Sequence, residues 1–126
     1  MAGERILVVE DNALNMKLFR DVLVAKGYRT LEATTGGEAV ELATEHEPDL
    51  VLMDIQLPDL GGVQALGRLR ENERTAAIPV LALTAQAMDG DRERFLAAGF
   101  DGYLSKPVNV RELIGTVRLH CEGGAR

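Results

Sequence analysis

Three stretches of the chain carry apolar runs: Arg5-Ile-Leu-Val-Val9 from Ile6 onward, Leu50-Val-Leu-Met53, and Ile78-Pro-Val-Leu-Ala-Leu-Thr84, which ends in a small hydroxyl residue. None alternates polar with apolar positions, so each suits a strand covered on both faces inside a parallel sheet. Two further short stretches are expected as strands: Tyr28 to Ala33, more polar, as an edge-proximal strand would be, and Asp101 to Ser105, which carries Tyr103. Between them the apolar period lengthens to three and four residues. Asn12 is placed to cap a helix whose apolar positions are Leu14, Leu18, Phe19, Val22 and Leu23, ended by Gly27 in a left-handed turn. Thr35-Gly-Gly-Glu38 has capping-box spacing and opens a second helix with Ala39, Val40, Leu42 and Ala43 inward. A third runs from Gly62 to Glu73 on Val63, Leu66 and Leu69, after a Gly61-Gly62 pair that allows backbone angles closed to other residues. A fourth is expected from about Asp91 to Ala98, stopped by Gly99. A fifth starts at Val110, capped by Asn109 and Glu112, with Val110, Leu113, Ile114 and Val117 inward.

Five strands alternating with five helices, at separations too long for hairpins, predict right-handed βαβ crossovers and a parallel sheet with helices on both faces. One domain accounts for residues 1–126, with a core of about 4–121 and a tail, 122–126, expected to fray. There is no repeat or linker. The 46% apolar fraction is spread along the chain, and nothing approaches the ~20 consecutive apolar residues of a membrane span. The start lacks the basic and apolar regions of a signal peptide, so the expected compartment is the cytoplasm. Net charge is −6 with no basic stripe, which argues against direct nucleic-acid binding. Cys121 is the single cysteine, so neither an internal disulfide nor a cysteine-built zinc site can form. His46 and His120 read as surface residues.

The predicted topology gathers the chemistry. Ligands of open α/β sheets bind outside the carboxyl ends of the strands. Glu10 and Asp11 follow the first strand, Asp54 ends the third, Thr84 ends the fourth and Lys106 follows the fifth, so all open onto one rim. Taken singly, each has an ordinary explanation: Asp54 a turn cap, Thr84 a capping hydroxyl, Lys106 a surface charge. Together, three carboxylates repel one another unless a proton or cation relieves them. Oxygen donors without histidine suit a hard ion, and magnesium above all. Magnesium beside a carboxylate nucleophile, a lysine and a hydroxyl is equipment for phosphoryl transfer, with Asp54 as acceptor. No nucleotide-binding loop of the Gly-x-x-x-x-Gly-Lys-Ser/Thr type is present, so the phosphoryl group must come from another molecule.

Val8-Val-Glu-Asp-Asn12, Leu52-Met-Asp-Ile-Gln-Leu-Pro58 with Gly62, Leu83-Thr-Ala85 and Tyr103-Leu-Ser-Lys-Pro107 resemble, in order and spacing, the motif set of bacterial two-component response-regulator receiver domains. The likeness covers essentially the whole chain. It implies a flavodoxin-like (βα)5 fold, a doubly wound five-stranded parallel sheet of order 2-1-3-4-5. It implies that Asp54 accepts a phosphoryl group from a phosphohistidine on a histidine kinase or histidine phosphotransfer protein. Magnesium would be held by Asp11, Asp54 and the backbone carbonyl of Gln56, with Glu10 acting through water. Glu10 stands where an Asp is often found, and its longer arm should still reach the ion, directly or through water. Thr84 and Tyr103 would form the switch pair, the Lys106-Pro107 peptide would be cis, and Gln56 and Gln86 would tune hydrolysis of the acyl phosphate. Within the family, Glu10 to Phe19, Met53 to Pro58 and Thr84-Ala-Gln-Ala-Met88 with Gly90-Asp91 are similar to stand-alone, DivK-like cell-cycle receivers, and also to receivers fused to hybrid kinases.

The expected output is a change in the face from Asp91 to Leu119 that alters binding to another protein or to a second copy of the chain. Such a molecule is a phosphorylated switch that dephosphorylates slowly, not a turnover enzyme. Three other readings fit less well. A flavin-binding flavodoxin would be repelled by Glu10-Asp11 in its phosphate loop. An aspartyl-phosphate hydrolase would need an acid where Gln56 stands. A constitutive docking module would have no use for Asp54 and Lys106, both of which are present.

Overall fold

The computed structural model describes residues 3–85 and 91–122. Its elements run β1 (Arg5–Val9), α1 (Ala13–Ala25), β2 (Arg29–Ala33), α2 (Gly36–His46), β3 (Leu50–Asp54), α3 (Gly62–Glu71), β4 (Val80–Thr84), α4 (Asp91–Ala98), β5 (Gly102–Ser105) and α5 (Val110–Glu122). The strands form one sheet in the order β2-β1-β3-β4-β5, every neighbouring pair parallel. β3 is therefore central, as its unbroken apolar run requires, and the more polar β2 and β5 take the edges.

Alternation along each strand divides the core in two. Leu7, Val9, Val51, Met53, Val80 and Ala82 meet Ala39, Ala43, Ala65, Leu66, Leu69 and Phe95 from α2, α3 and α4. Ile6, Val8, Leu50, Leu52, Leu81 and Leu83 meet Met16, Phe19, Leu23, Leu113 and Val117 from α1 and α5. Each Val, Leu, Ile, Phe and Met side chain among these contributes roughly 1.5–3 kcal/mol on burial, which holds the sheet between its two helical layers.

The caps form largely as read. Asn12 Oδ1 accepts from the Asn15 amide at 3.0 Å, Thr35 Oγ1 from Glu38 at 3.1 Å and Asn109 Oδ1 from Glu112 at 3.1 Å. The Glu38 carboxylate returns to the amide of Thr34 at 2.8 Å, one residue before the reciprocal position of a capping box. Gly27 and Gly99 end α1 and α4 with φ of 91° and 111°, the left-handed region that favours glycine.

Four expectations are corrected. In α1, Leu14 and Leu18 face solvent, and Met16, Phe19 and Leu23 fill the core. In α3, Val63 is exposed and Ala65 is buried; the helix also ends at Glu71, before Glu73. In α5, Val110 is exposed. An apolar period fixes a stripe, but a stripe broader than the buried face leaves its margin open. Finally, Gly61 has φ −62°, and neither it nor Gly62 has positive φ. Gly62 is required for space: a Cβ there would lie 2.6 Å from the carbonyl oxygen of Asp54.

Candidate functional site

Register brings the rim together. Val9 pairs with Met53, so Glu10 comes level with Asp54; Asp54 pairs with Leu83, one residue before Thr84; Thr84 pairs with Ser105, one residue before Lys106. Alternation then assigns faces. Glu10, Asp54 and Lys106 continue the rows of Val8, Leu52 and Leu104 on the α1/α5 side, whereas Thr84 continues the row of Ala82 on the side of α3 and α4. Tyr103 packs on that second side as well, so the hydroxyl and the ring expected to act as a pair share one face of the sheet.

The strand ends enclose a cleft of about 330 Å³ lined by Glu10, Asp11, Asp54, Gln56, Thr84 and Lys106, joined by Asn12, Asn15, Arg94 and Phe95. At its floor Asp54 is 5% exposed. Its Oδ1 accepts the Gln56 amide at 2.9 Å and its Oδ2 accepts Lys106 Nζ at 2.9 Å. The same ammonium lies 2.7 Å from Oε1 of Glu10, so one cation bridges two buried carboxylates. Glu10 Oε2 accepts the amide of Asn12 at 3.1 Å, which fixes the acid against the start of α1. The Lys106–Pro107 peptide is cis, and the Lys106 amide donates to the Thr84 carbonyl at 2.7 Å, extending the β4–β5 pairing to the rim.

Burial pushes the Glu10 carboxyl up from its ordinary range, and the neighbouring Asp54 charge adds to this; hydrogen bonds from Lys106 and the Asn12 amide only partly offset it. For Lys106, burial alone would lower the pKa. Its contacts with Asp54 and Glu10 outweigh that and hold the ammonium above its ordinary value. The cleft is thus an acidic site with an excess of carboxylate, short of positive charge.

Glu10, Asp11 and Asp54 each offer an oxygen, and these lie within 4.8 Å of one another. Oε1 of Glu10 is buried and, apart from its ion pair with Lys106, has no donor. Oxygen-only donors, a buried acceptor facing the cleft and no histidine or cysteine in the lining fit a hard divalent ion such as magnesium.

Every expected site residue among the described ones reaches this cleft except Tyr103. Its ring lies instead in the groove between α4 and α5, 5.8 Å from the ring of Phe95. Gln86 falls outside the described residues. Arg94 and Phe95 were not anticipated from sequence; the docking of α4 brings both into the lining of the cleft.

A parallel doubly wound sheet carrying an acidic, lysine-bridged cleft at its carboxyl edge defines a class of phosphorylatable signalling domains, and the comparisons agree. Residues 6–118 match the response regulator receiver domain, and the chain belongs to that family. It is 50% identical over 115 residues to the polar-differentiation response regulator DivK of Brucella ovis, covering 91% of this chain and 94% of that protein. Among solved structures it is similar to the receiver domain of the sensor histidine kinase PA1611 of Pseudomonas aeruginosa PAO1, at 40% identity and TM-score 0.85, covering 93% and 96% of the two chains. That structure has a magnesium ion coordinated in its active-site cleft. The chemotaxis protein CheY4 of Vibrio cholerae is also similar, at 26% identity and TM-score 0.86, covering 93% and 98%. The chain is therefore a receiver domain of two-component signalling with the CheY-like flavodoxin fold. Among the described residues no helix is long and apolar enough to cross a membrane.

Proposed function

We propose that this chain is a phospho-accepting switch in which Asp54 takes a phosphoryl group from a phosphohistidine on a histidine kinase or phosphotransfer protein. The observation that carries this is the buried Asp54 carboxylate at the cleft floor, fixed by the Gln56 amide and the Lys106 ammonium. A carboxylate oxygen attacks phosphorus; the new O–P bond forms as the P–N bond breaks, and the departing imidazole keeps the electron pair and takes a proton from solvent. Lys106 compensates charge on the phosphoryl oxygens, and Thr84 supplies a hydroxyl from the opposite sheet face. Glu10, Asp11, Asp54 and the Gln56 carbonyl would hold magnesium, which would supply positive charge against the group being transferred.

Two features support the donor and the readout. Leu14 and Leu18 are exposed on α1, and Leu18 borders a shallow hollow with Phe19, Pro107 and Val108 beside the cleft, an apolar landing for a partner carrying the phosphohistidine. Thr84 and Tyr103 share the α4 side of the sheet, so movement of the hydroxyl toward the phosphoryl group changes the α4–β5–α5 face seen by a downstream protein or a second copy. The chemistry is self-modification with slow self-hydrolysis, tuned by Gln56 and Gln86.

The test is intact mass after incubation with magnesium and acetyl phosphate. Wild type gains one phosphoryl group only with the metal, and Asp54→Asn gains none. An adduct that persists in Asp54→Asn, or none on wild type, refutes the assignment.

A further inference from the structure

The cleft holds a second cation that the switch described above does not use. Arg94 on α4 lines it together with Glu10, Asp11, Asp54 and Lys106, so three carboxylates face two cationic side chains. Lys106 is already bridged between Glu10 and Asp54. Phosphorylation replaces the single charge of one carboxylate with a group carrying close to two. The added charge falls in a cleft whose second cationic lining residue is a guanidinium, whose planar fork suits phosphoryl oxygens.

Arg94 is also wired to the output face. Its Cζ lies 5.2 Å from the centroid of the Phe95 ring. Phe95 is 3% exposed, lines the cleft, and packs its ring 5.8 Å from that of Tyr103, which borders the groove between α4 and α5 with Leu96, Glu112 and Leu119. A pull on Arg94 toward the cleft therefore acts on the helix through its buried aromatic and reaches Tyr103 by direct contact.

We infer that Arg94 is a phosphoryl-sensing residue: its guanidinium contacts the phosphoryl group on Asp54 and draws α4 inward, moving Phe95 and Tyr103 in parallel with the Thr84 route. The inference rests on the proposed acceptor role of Asp54. It names a residue on α4, not on a strand end, as a direct reader of the phosphorylated state.

The experiment is an NMR titration with beryllofluoride, a phosphoryl mimic, at saturating magnesium, on wild type, Arg94→Gln and Arg94→Lys, with magnesium affinity measured separately without beryllofluoride. Arg94→Gln is expected to weaken beryllofluoride binding roughly tenfold, within the range of charge-assisted contacts, with Arg94→Lys between the two. Magnesium alone should bind Arg94→Gln somewhat more tightly, because a like charge has left the site. At saturation the shift of the Tyr103 ring resonances should be smaller in Arg94→Gln. Beryllofluoride affinity within twofold of wild type, or parallel weakening of both ligands, overturns the contact. Weakened affinity with a full-sized Tyr103 shift overturns the relay through Phe95. Failure of wild type to bind beryllofluoride would instead defeat the acceptor assignment itself.

Discussion

Gly62 and Thr75 are both buried in α3 or just beyond it, and they separate stability from function at the scale of single residues. An alanine Cβ at Gly62 would approach the Asp54 carbonyl to 2.6 Å and the Ile55 Cα to 2.9 Å, both backbone atoms that cannot swing aside. Gly62→Ala should cost about 1–3 kcal/mol as an overpacked contact, and the relief must come from the segment that carries Asp54 and Gln56. Thr75 is fully buried, and its Oγ1 donates to the Leu69 carbonyl at 2.6 Å, closing the end of α3 far from the cleft. Thr75→Val should cost about 1–2 kcal/mol by leaving that carbonyl without the hydroxyl. Urea melts check both losses. The initial rate of phosphorylation by acetyl phosphate should fall in Gly62→Ala and stay at the wild-type value in Thr75→Val; equal rates in the two would show that the loop after Asp54 absorbs the clash. The glycine pair was visible in the sequence. Its reason was not, because a φ requirement and a space requirement leave the same letter, and only the return of α3 against β3 tells them apart.

At the scale of elements, α4 is the one whose described side chains contribute least to the core. Of these, Phe95 alone is buried, and hydrogen bonds gather at the helix's C-terminal end. There Arg70 of α3 donates to the carbonyls of Ala76, Ile78 and Gly99 at 3.0, 2.7 and 3.0 Å and to Asp101 Oδ2 at 3.0 Å, while Asp101 accepts the amide of Val80 at 2.8 Å. This staple ties the end of α4 to the starts of β4 and β5. Arg70→Met should lower stability by about 2 kcal/mol, since three carbonyls and a carboxylate lose a charged donor and the site is partly open to water. Hydrogen exchange should rise first at the amides of Gly99 to Gly102, ahead of β1 and β3. Uniform acceleration over the whole sheet would mean that the staple does not act locally. The order and type of all ten elements could be read from apolar runs and caps, because each strand run is bounded by residues that cannot extend it. The helix faces were harder. Leu14, Leu18 and Val110 extend the apolar stripes beyond the buried rows, and periodicity cannot separate a side chain meant for the core from one left for a partner. Arg94 was hidden for the opposite reason: its charge matters only through the docking of α4 beside strands far away in sequence.

For the molecule as a whole, the cleft makes stability depend on pH and on magnesium with a sign that can be worked out. Glu10 has a folded-state pKa raised from its ordinary 4.5, so the unfolded chain ionises first. The stability tied to this group is therefore full below pH 4.5 and is lost as pH rises through the raised folded value. Lys106 is raised from 10.5, so its contribution persists across neutral pH and is lost only as pH climbs past 10.5 through its folded value. At pH 7 the metal-free protein thus keeps its lysine pairing but bears the cost that burial and the Asp54 charge place on the Glu10 carboxyl. Glu10→Gln removes that cost. Without magnesium at pH 7 the variant should melt higher than wild type by about 2–5 °C, as expected for a change near 1 kcal/mol in a domain of this size. Added magnesium should reverse the order, because wild type retains all three carboxylates and gains stability by mass action, about 2.7 kcal/mol at a hundredfold excess over its Kd, while the variant has lost a donor. Thermal melts of both proteins with EDTA and with magnesium check this. A variant that melts lower than wild type under EDTA would show that Glu10 serves first as the partner of Lys106, with charge repulsion in the cleft the weaker term.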